Sequence, residues 1–221
     1  MNTNEHKEPF YTKAQNFFEM YRKQILIAIV AIIAIGAGGY FYKTIIFDKK
    51  QEAAYDLLGP VERWFVADSF GLVIKGQGKI KGAPYIADNY SGKPGNLAKY
   101  YSGVSYLKTG DFKKSIKYLE KVDFDDKYAS IMATGLLGDA YYESGNTDDA
   151  LDQYVKAAKA DKNSFTTVYW YKKAAAIHEK RNEWDKALDI YENIYKNFKE
   201  SEAMGETEKL LARAKAKTGK Y

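Results

Sequence analysis

Gly103, Tyr106 and Gly110 form a short comb, and 35 positions later the same comb returns as Gly138, Tyr141 and Gly145. An interval of that size marks a chain built of stacked supersecondary units, because one such unit cannot bury its own apolar face. Counting Asn96 as position 1 puts Gly103 at position 8, Tyr106 at 11, Gly110 at 15, Ser115 at 20, Leu119 at 24 and Val122 at 27. The unit from Ile131 supplies Gly138, Tyr141, Gly145, Ala150, Tyr154 and Ala157 at those positions. The unit from Val168, 37 residues further on, supplies Ala175, His178, Asn182, Ala187, Tyr191 and Ile194.

Small, aromatic, turn, small and large residues in that order, at a period near 34, make the tetratricopeptide (TPR) pattern. The pattern predicts an all-α fold in which each unit is a helix, a tight turn and a second helix. Positions 8 and 20 meet where the two helices come closest, so only Gly, Ala or Ser fits. Position 15 ends the first helix in a left-handed conformation, which Gly or Asn tolerates. Apolar spacing supports the second helices through Ile116, Leu119 and Val122, then Leu151, Tyr154 and Ala157, then Leu188, Tyr191 and Ile194. "MGETEKLLARAKAKTG" reads as a polar-faced helix that caps the stack. Ahead of the repeats, "QEAAYDLLGPVERWFVADSF" predicts a helix interrupted near Gly59–Pro60, with Asp68 or Ser69 capping a short successor. "KGQGKIKGAPY" is a turn, a short helix lies near "YIADNY", and "SGKPGN" leads into the first unit.

One further segment constrains the architecture. Ile25 to Phe47 reads "ILIAIVAIIAIGAGGYFYKTIIF", with Lys43 its single charge. As a helix it is about 34 Å long, enough for a hydrocarbon core of roughly 30 Å. Tyr40, Phe41 and Tyr42 close the apolar run as an interfacial belt does, and the run exceeds a signal-peptide core, so a retained anchor is expected. Lys7, Lys13, Arg22 and Lys23 precede the span and Lys43, Lys49, Lys50 and Arg63 follow its apolar core. The balance is even, so the positive-inside rule does not orient it. Ala34 and Gly38 form a small-xxx-small pair that suits contact with another transmembrane helix. The expected organisation is a short tail over 1–24, a transmembrane helix over 25–47 and a degenerate helical unit over 48–95. Three TPR units over 96–199, starting at 96, 131 and 168, and a capping helix over 200–221 complete it.

Composition narrows the function. The chain has no cysteine, so disulfides and thiolate metal sites are excluded. Its 34 basic and 29 acidic residues are interleaved and form no stripe for phosphate backbones, so no nucleic-acid partner is expected. No catalytic constellation, metal site or cofactor site emerges. His178 occupies a packing position, Asp125–Asp126 and Asp148–Asp149 suit a loop and a helix start, and "GQGKIKG" lacks the strand–turn–helix context of a phosphate loop.

A partner-binding groove is the better expectation. TPR stacks curve so that the first helices line a concave face, chiefly at positions 2, 5, 9 and 12. Here those positions include Tyr100, Val104, Leu107, Asp139, Tyr142, Tyr169, Lys172 and Glu179. The mixed aromatic and polar lining suits an extended or helical segment of a partner protein. Tyr100 and Val104 stand where the clamp for carboxylate tails carries Lys and Asn, which argues against that ligand.

The segments "ADSFGLVIKGQG", "YIADNYSGKPGNLAKYYSGVSYLKTGDFKKSIKYLEKV" and "GLLGDAYYESGNTDDALDQYVKAA" give the chain its most specific resemblance, to the membrane-anchored TPR proteins of the YfgM type in Gram-negative bacteria. The likeness covers nearly the whole chain. It implies a cytoplasmic tail, a single pass through the cell inner membrane and a repeat domain in the periplasm. The implied partners are the SecYEG translocon, a periplasmic chaperone of the PpiD type, and secretory or membrane protein clients. The resemblance transfers no catalytic residue. The expected function is that of a non-catalytic scaffold or chaperone-like accessory of protein export. The rival expectation is a structural assembly factor that bridges cell-envelope complexes.

Overall fold

Helical periodicity dominates the chain, and the computed structural model, which describes residues 10–220, shows helix nearly throughout. His6, Lys7 and Tyr221 lie outside the described residues. The chain divides into two compact units at Glu52 and Ala53.

In the first unit, α1 (Phe10–Phe41) leads into a π-helical stretch, Tyr42–Phe47. None of the α1 residues is buried. The Thr44 hydroxyl donates to the Tyr40 carbonyl at 2.9 Å, an internal partner that suits a hydroxyl in apolar surroundings. The helical run of which this is part is long and apolar enough to cross a membrane, by length and composition. Ala34 and Gly38 are exposed, and nothing among the described residues lies within 4 Å of a Cβ built on Gly38.

The second unit begins within the helix α2 (Asp48–Val66), whose apolar face buries Ala54, Leu58 and Val61. The expected break at Gly59–Pro60 does not occur, because the helix continues through Pro60. An interior proline costs about 3 kcal/mol. Here Leu58 and Val61, on either side of it, are fixed in a cluster with Val73, Ile86 and Tyr101, and that packing offsets the lost hydrogen bond. Next come α3 (Phe70–Lys75) and α4 (Ala83–Asn89). Ser69 occupies the N-cap position of α3 without capping it. Its hydroxyl donates instead to the Ala67 carbonyl at 3.3 Å. Between α3 and α4 the chain turns through Gly76 (φ 75°) and Gly78 (φ 60°).

The repeats follow as three helical hairpins. They are α5 (Gly92–Lys108) with α6 (Phe112–Leu119), α7 (Lys127–Glu143) with α8 (Thr147–Lys159), and α9 (Thr166–Lys180) with α10 (Trp184–Asn197). "SGKPGN" is not a leader, since α5 already begins at Gly92 and Pro94 lies in its first turn, where a missing N–H leaves no gap in the ladder. Position 15 is left-handed in every hairpin, with φ of 82° at Gly110, 86° at Gly145 and 57° at Asn182. At the closest approach of α5 and α6, the Ser115 hydroxyl donates to the Gly103 carbonyl at 2.8 Å. A Cβ on Gly103 would come within 2.5 Å of Leu119 Cγ, and one on Gly138 within 2.7 Å of the Tyr154 ring. Asp126 caps α7, its carboxylate accepting from the Ala129 N–H at 2.8 Å.

Adjacent hairpins then stack. α6 packs on α7, α8 on α9, and α10 on α11 (Met204–Thr218). Leu211 and Ala214 of α11 close the cluster formed by Val168, Leu188, Tyr191 and Ile194. Polar groups are stitched across the same seams. Five side-chain hydrogen bonds join residues 34 positions apart: Lys127–Asp161, Lys173–Asp139, Arg181–Thr147, Lys172–Glu206 and Arg213–Glu179.

Candidate partner-binding cleft

The C-terminal ends of α5, α7 and α9 converge on an open cleft of about 600 Å³. Its apolar surface comes from Leu107 and Phe112 on the first hairpin, Tyr142 on α7, and Ala176 and Ile177 on α9. Lys108 and Glu143 contribute to its polar side, and Asp139, Tyr154 and Lys173 form the rest.

These three side chains act as a unit. The Tyr154 hydroxyl and the Lys173 ammonium both donate to Asp139 Oδ1, each at 2.6 Å. Burial, and then the hydrogen bond to Asp139, raise the pKa of Tyr154. The phenol therefore keeps its proton at neutral pH and serves as a donor. Lys173 also faces three rings, its ammonium 5.6 Å from the Tyr154 centroid, 5.2 Å from Tyr169 and 5.4 Å from Trp170. Carboxylate and ring faces together hold the cation, and the side chain is fixed across the seam between the second and third hairpins. Behind it Trp170 is buried and stacks on Tyr154 at 5.8 Å. On the other flank, Lys180 lies 4.8 Å from the Tyr142 ring centroid and hydrogen-bonds its hydroxyl.

Of the eight expected contact residues, Leu107, Asp139 and Tyr142 line this cleft, and Tyr169, 46 % exposed, stands beside it under Lys173. The other four lie elsewhere. Val104 is 6 % exposed and packs with Leu119, Leu137 and Ala140. It follows Gly103 directly and is drawn into the contact that this glycine permits. Tyr100 is half-buried against Phe65 and Phe124, with centroids 6.2 and 5.5 Å away. Lys172 pairs with Glu206 of α11. Glu179 accepts hydrogen bonds from the Tyr191 hydroxyl at 3.0 Å and from Arg213. Both charges thus fasten α9 to its successors.

Sequence reasoning missed Lys173 and Ile177 and took Tyr154 for packing alone. Two signals were available. Asp139 and Lys173 carry opposite charge and stand 34 residues apart. Gly135 sits inside a helix, where glycine costs about 1 kcal/mol against alanine, and it makes room for Trp170.

Comparison with family models now bears on the same three hairpins. Tetratricopeptide-repeat models match residues 98–123, 135–164 and 170–201. The hairpins are tetratricopeptide repeats. A search of curated proteins finds no match to the chain. Such repeats serve protein–protein interaction, and the cleft lies between the first helices of all three. Among the described residues no group of three or more His, Asp or Glu side chains is placed to hold a metal ion. The histidine in the repeats, His178, is buried with Nδ1 2.6 Å from Glu183 Oε2, a contact that ties α9 to the start of α10.

Proposed function

We propose that the protein is a non-catalytic, membrane-tethered TPR scaffold of protein export. It accompanies the SecYEG translocon at the cell inner membrane with its repeats on the periplasmic side. There the cleft receives a segment of a PpiD-type chaperone or of a secretory or membrane protein client. The observation that carries the scaffold reading is the cleft itself. It is open, mixed in polarity and framed by three tetratricopeptide repeats, and of its two carboxylates on α7, Asp139 and Glu143, the first is already engaged by Lys173 and Tyr154. The export assignment rests on the YfgM-type resemblance together with a helix able to span a membrane.

A tether supports this reading energetically. Confinement beside a translocon raises the effective concentration of emerging chains, so weak contacts in an open cleft suffice. Purification of the intact protein in mild detergent, followed by mass spectrometry, tests the assignment. Translocon subunits should co-purify. Their absence, with other envelope complexes recovered instead, would replace export with the assembly-factor role.

A further inference from the structure

A second and larger cavity, about 780 Å³, opens where the ends of α8 and α10 meet the segment joining α8 to α9. Four lysines line it, Lys159, Lys162, Lys196 and Lys199, and all four are exposed, with no carboxylate bound to them among the described residues. Lys159 and Lys196 lie in the last turns of α8 and α10, where a cation complements the helix dipole. Lys162 and Lys199 lie beyond the helix ends, and that account does not reach them. The acidic groups on the wall do not neutralise the set. Asp161 is engaged by the Lys127 ammonium at 2.9 Å and by the Lys162 backbone N–H at 2.9 Å. Glu200 is the remaining carboxylate. Tyr171 and Phe198 add aromatic surface, and Asn193 and Asn197 add carboxamides.

We infer that this cavity is a second docking site, separate from the concave cleft, for an acidic polypeptide segment that also carries an apolar side chain. Charge complementarity selects the acidic residues, and the aromatic surface selects the apolar one. The alternative polyanion, an anionic bilayer, fits less well because it is flat and wide. Asp125 and Asp126 directly precede Lys127, which reaches Asp161 in the cavity wall, and Glu202 lies two residues beyond Glu200. A wide, flat bilayer would meet these neighbouring carboxylates together with the lysines, whereas a narrow segment engages the cavity lysines alone.

The test uses the full chain in nanodiscs of phosphatidylcholine and a short fluorescent peptide of glutamates around one phenylalanine. Fluorescence anisotropy should show binding that weakens as salt rises through the range where the Debye length falls below about 10 Å. Lys162→Glu with Lys199→Glu should weaken it by at least about tenfold, and Lys162→Gln with Lys199→Gln by less. Both pairs are exposed, so circular dichroism should show an unchanged fold. Changing Tyr142 to Ser in the concave cleft should leave this binding intact, which separates the proposal from the reading of that cleft. Peptide binding that is absent, or indifferent to the lysine changes, overturns the inference. Lysine-dependent recruitment to phosphatidylglycerol vesicles that exceeds peptide binding overturns it in favour of a lipid surface.

Discussion

The indole of Trp170 lies directly over Gly135, so close that a Cβ on the glycine would fall 2.1 Å from ring carbon Cζ2. This contact seats the third repeat on the second, and the buried ring that makes it has little freedom to retreat. Gly135→Ala should therefore destabilise the domain by about 1–3 kcal/mol, the usual cost of overpacking. Gly205 is also helical but has nothing within 4 Å of its Cβ position. Gly205→Ala should be neutral or stabilising by up to about 1 kcal/mol. Thermal melts followed by circular dichroism compare the two, and equal melting temperatures would remove the proposed role of the contact.

What was legible in the sequence was whatever a single residue type must satisfy alone. Gly103, Gly138, Gly110 and Gly145 are dictated by close approach or positive φ, and these demands survive without knowledge of neighbours. The cleft was less legible because contact register differs from pattern register. Gly145 and Asn182 are equivalent turn residues 37 apart, yet the residues that touch, Asp139 and Lys173, are 34 apart. Contact partners are thus offset from their equivalents by about one helical turn. That offset directs Lys173 to the cleft and leaves its neighbour Lys172 to Glu206. Pro60 misled for a related reason, since the packing that sustains α2 across it comes from α3, α4 and α5.

Glu179 supplies a test of the corrected site. Its carboxylate joins Tyr191 on α10 and Arg213 on α11, so we propose that it acts as a fastening rather than as a contact for partners. Glu179→Ala should lower stability by about 1.5–3 kcal/mol, the range for hydrogen bonds to a charged group. Capture of co-purified proteins at a temperature where the variant remains folded should be unchanged. Loss of a partner without loss of stability would return Glu179 to the binding surface.

The buried phenols set an alkaline limit. Burial is the leading cause that raises the pKa of Tyr118, Tyr154 and Tyr191, with Asp88, Asp139 and Glu179 adding to it respectively. A group whose pKa is higher in the folded state binds the more protons there, so its contribution is intact below the unfolded value. That value is about 10 for tyrosine, and stability falls as pH rises above it. The melting temperature should hold to about pH 10 and then drop steeply. Tyr154→Phe should flatten the drop, and an unchanged slope would show that this phenol does not couple to folding.

For the concave cleft the informative change is Leu107→Ser with Tyr142→Ser. Both residues line it, and both are only half-buried. The pair should reduce capture of partner proteins by about tenfold or more, as expected when central contacts of an interface are removed. Membrane-complex association should persist. Tyr100 is left out because its packing on Phe65 and Phe124 would confuse binding with folding. If partner recovery is unaltered while the fold holds, the cleft is not where partners bind.

Topology is the step on which the export reading depends. The basic residues around the span are balanced, so orientation is not decided by Lys13, Arg22 and Lys23 against Lys43, Lys49 and Lys50. The proposed direction places the helix start at Phe10 in the cytoplasm and the repeats, from Gly92 onward, in the periplasm. A reporter active only outside the cytoplasm, fused after Tyr221, should be active, and a cytoplasm-dependent reporter at the same place should be silent. Replacing the span by an unrelated one should preserve this topology and peptide capture while abolishing association with the membrane complex. That outcome assigns membrane-partner choice to the span, including Ala34 and Gly38, whose exposed faces offer close approach to another helix. A silent periplasmic reporter with good expression would put the repeats in the cytoplasm and end the periplasmic export role.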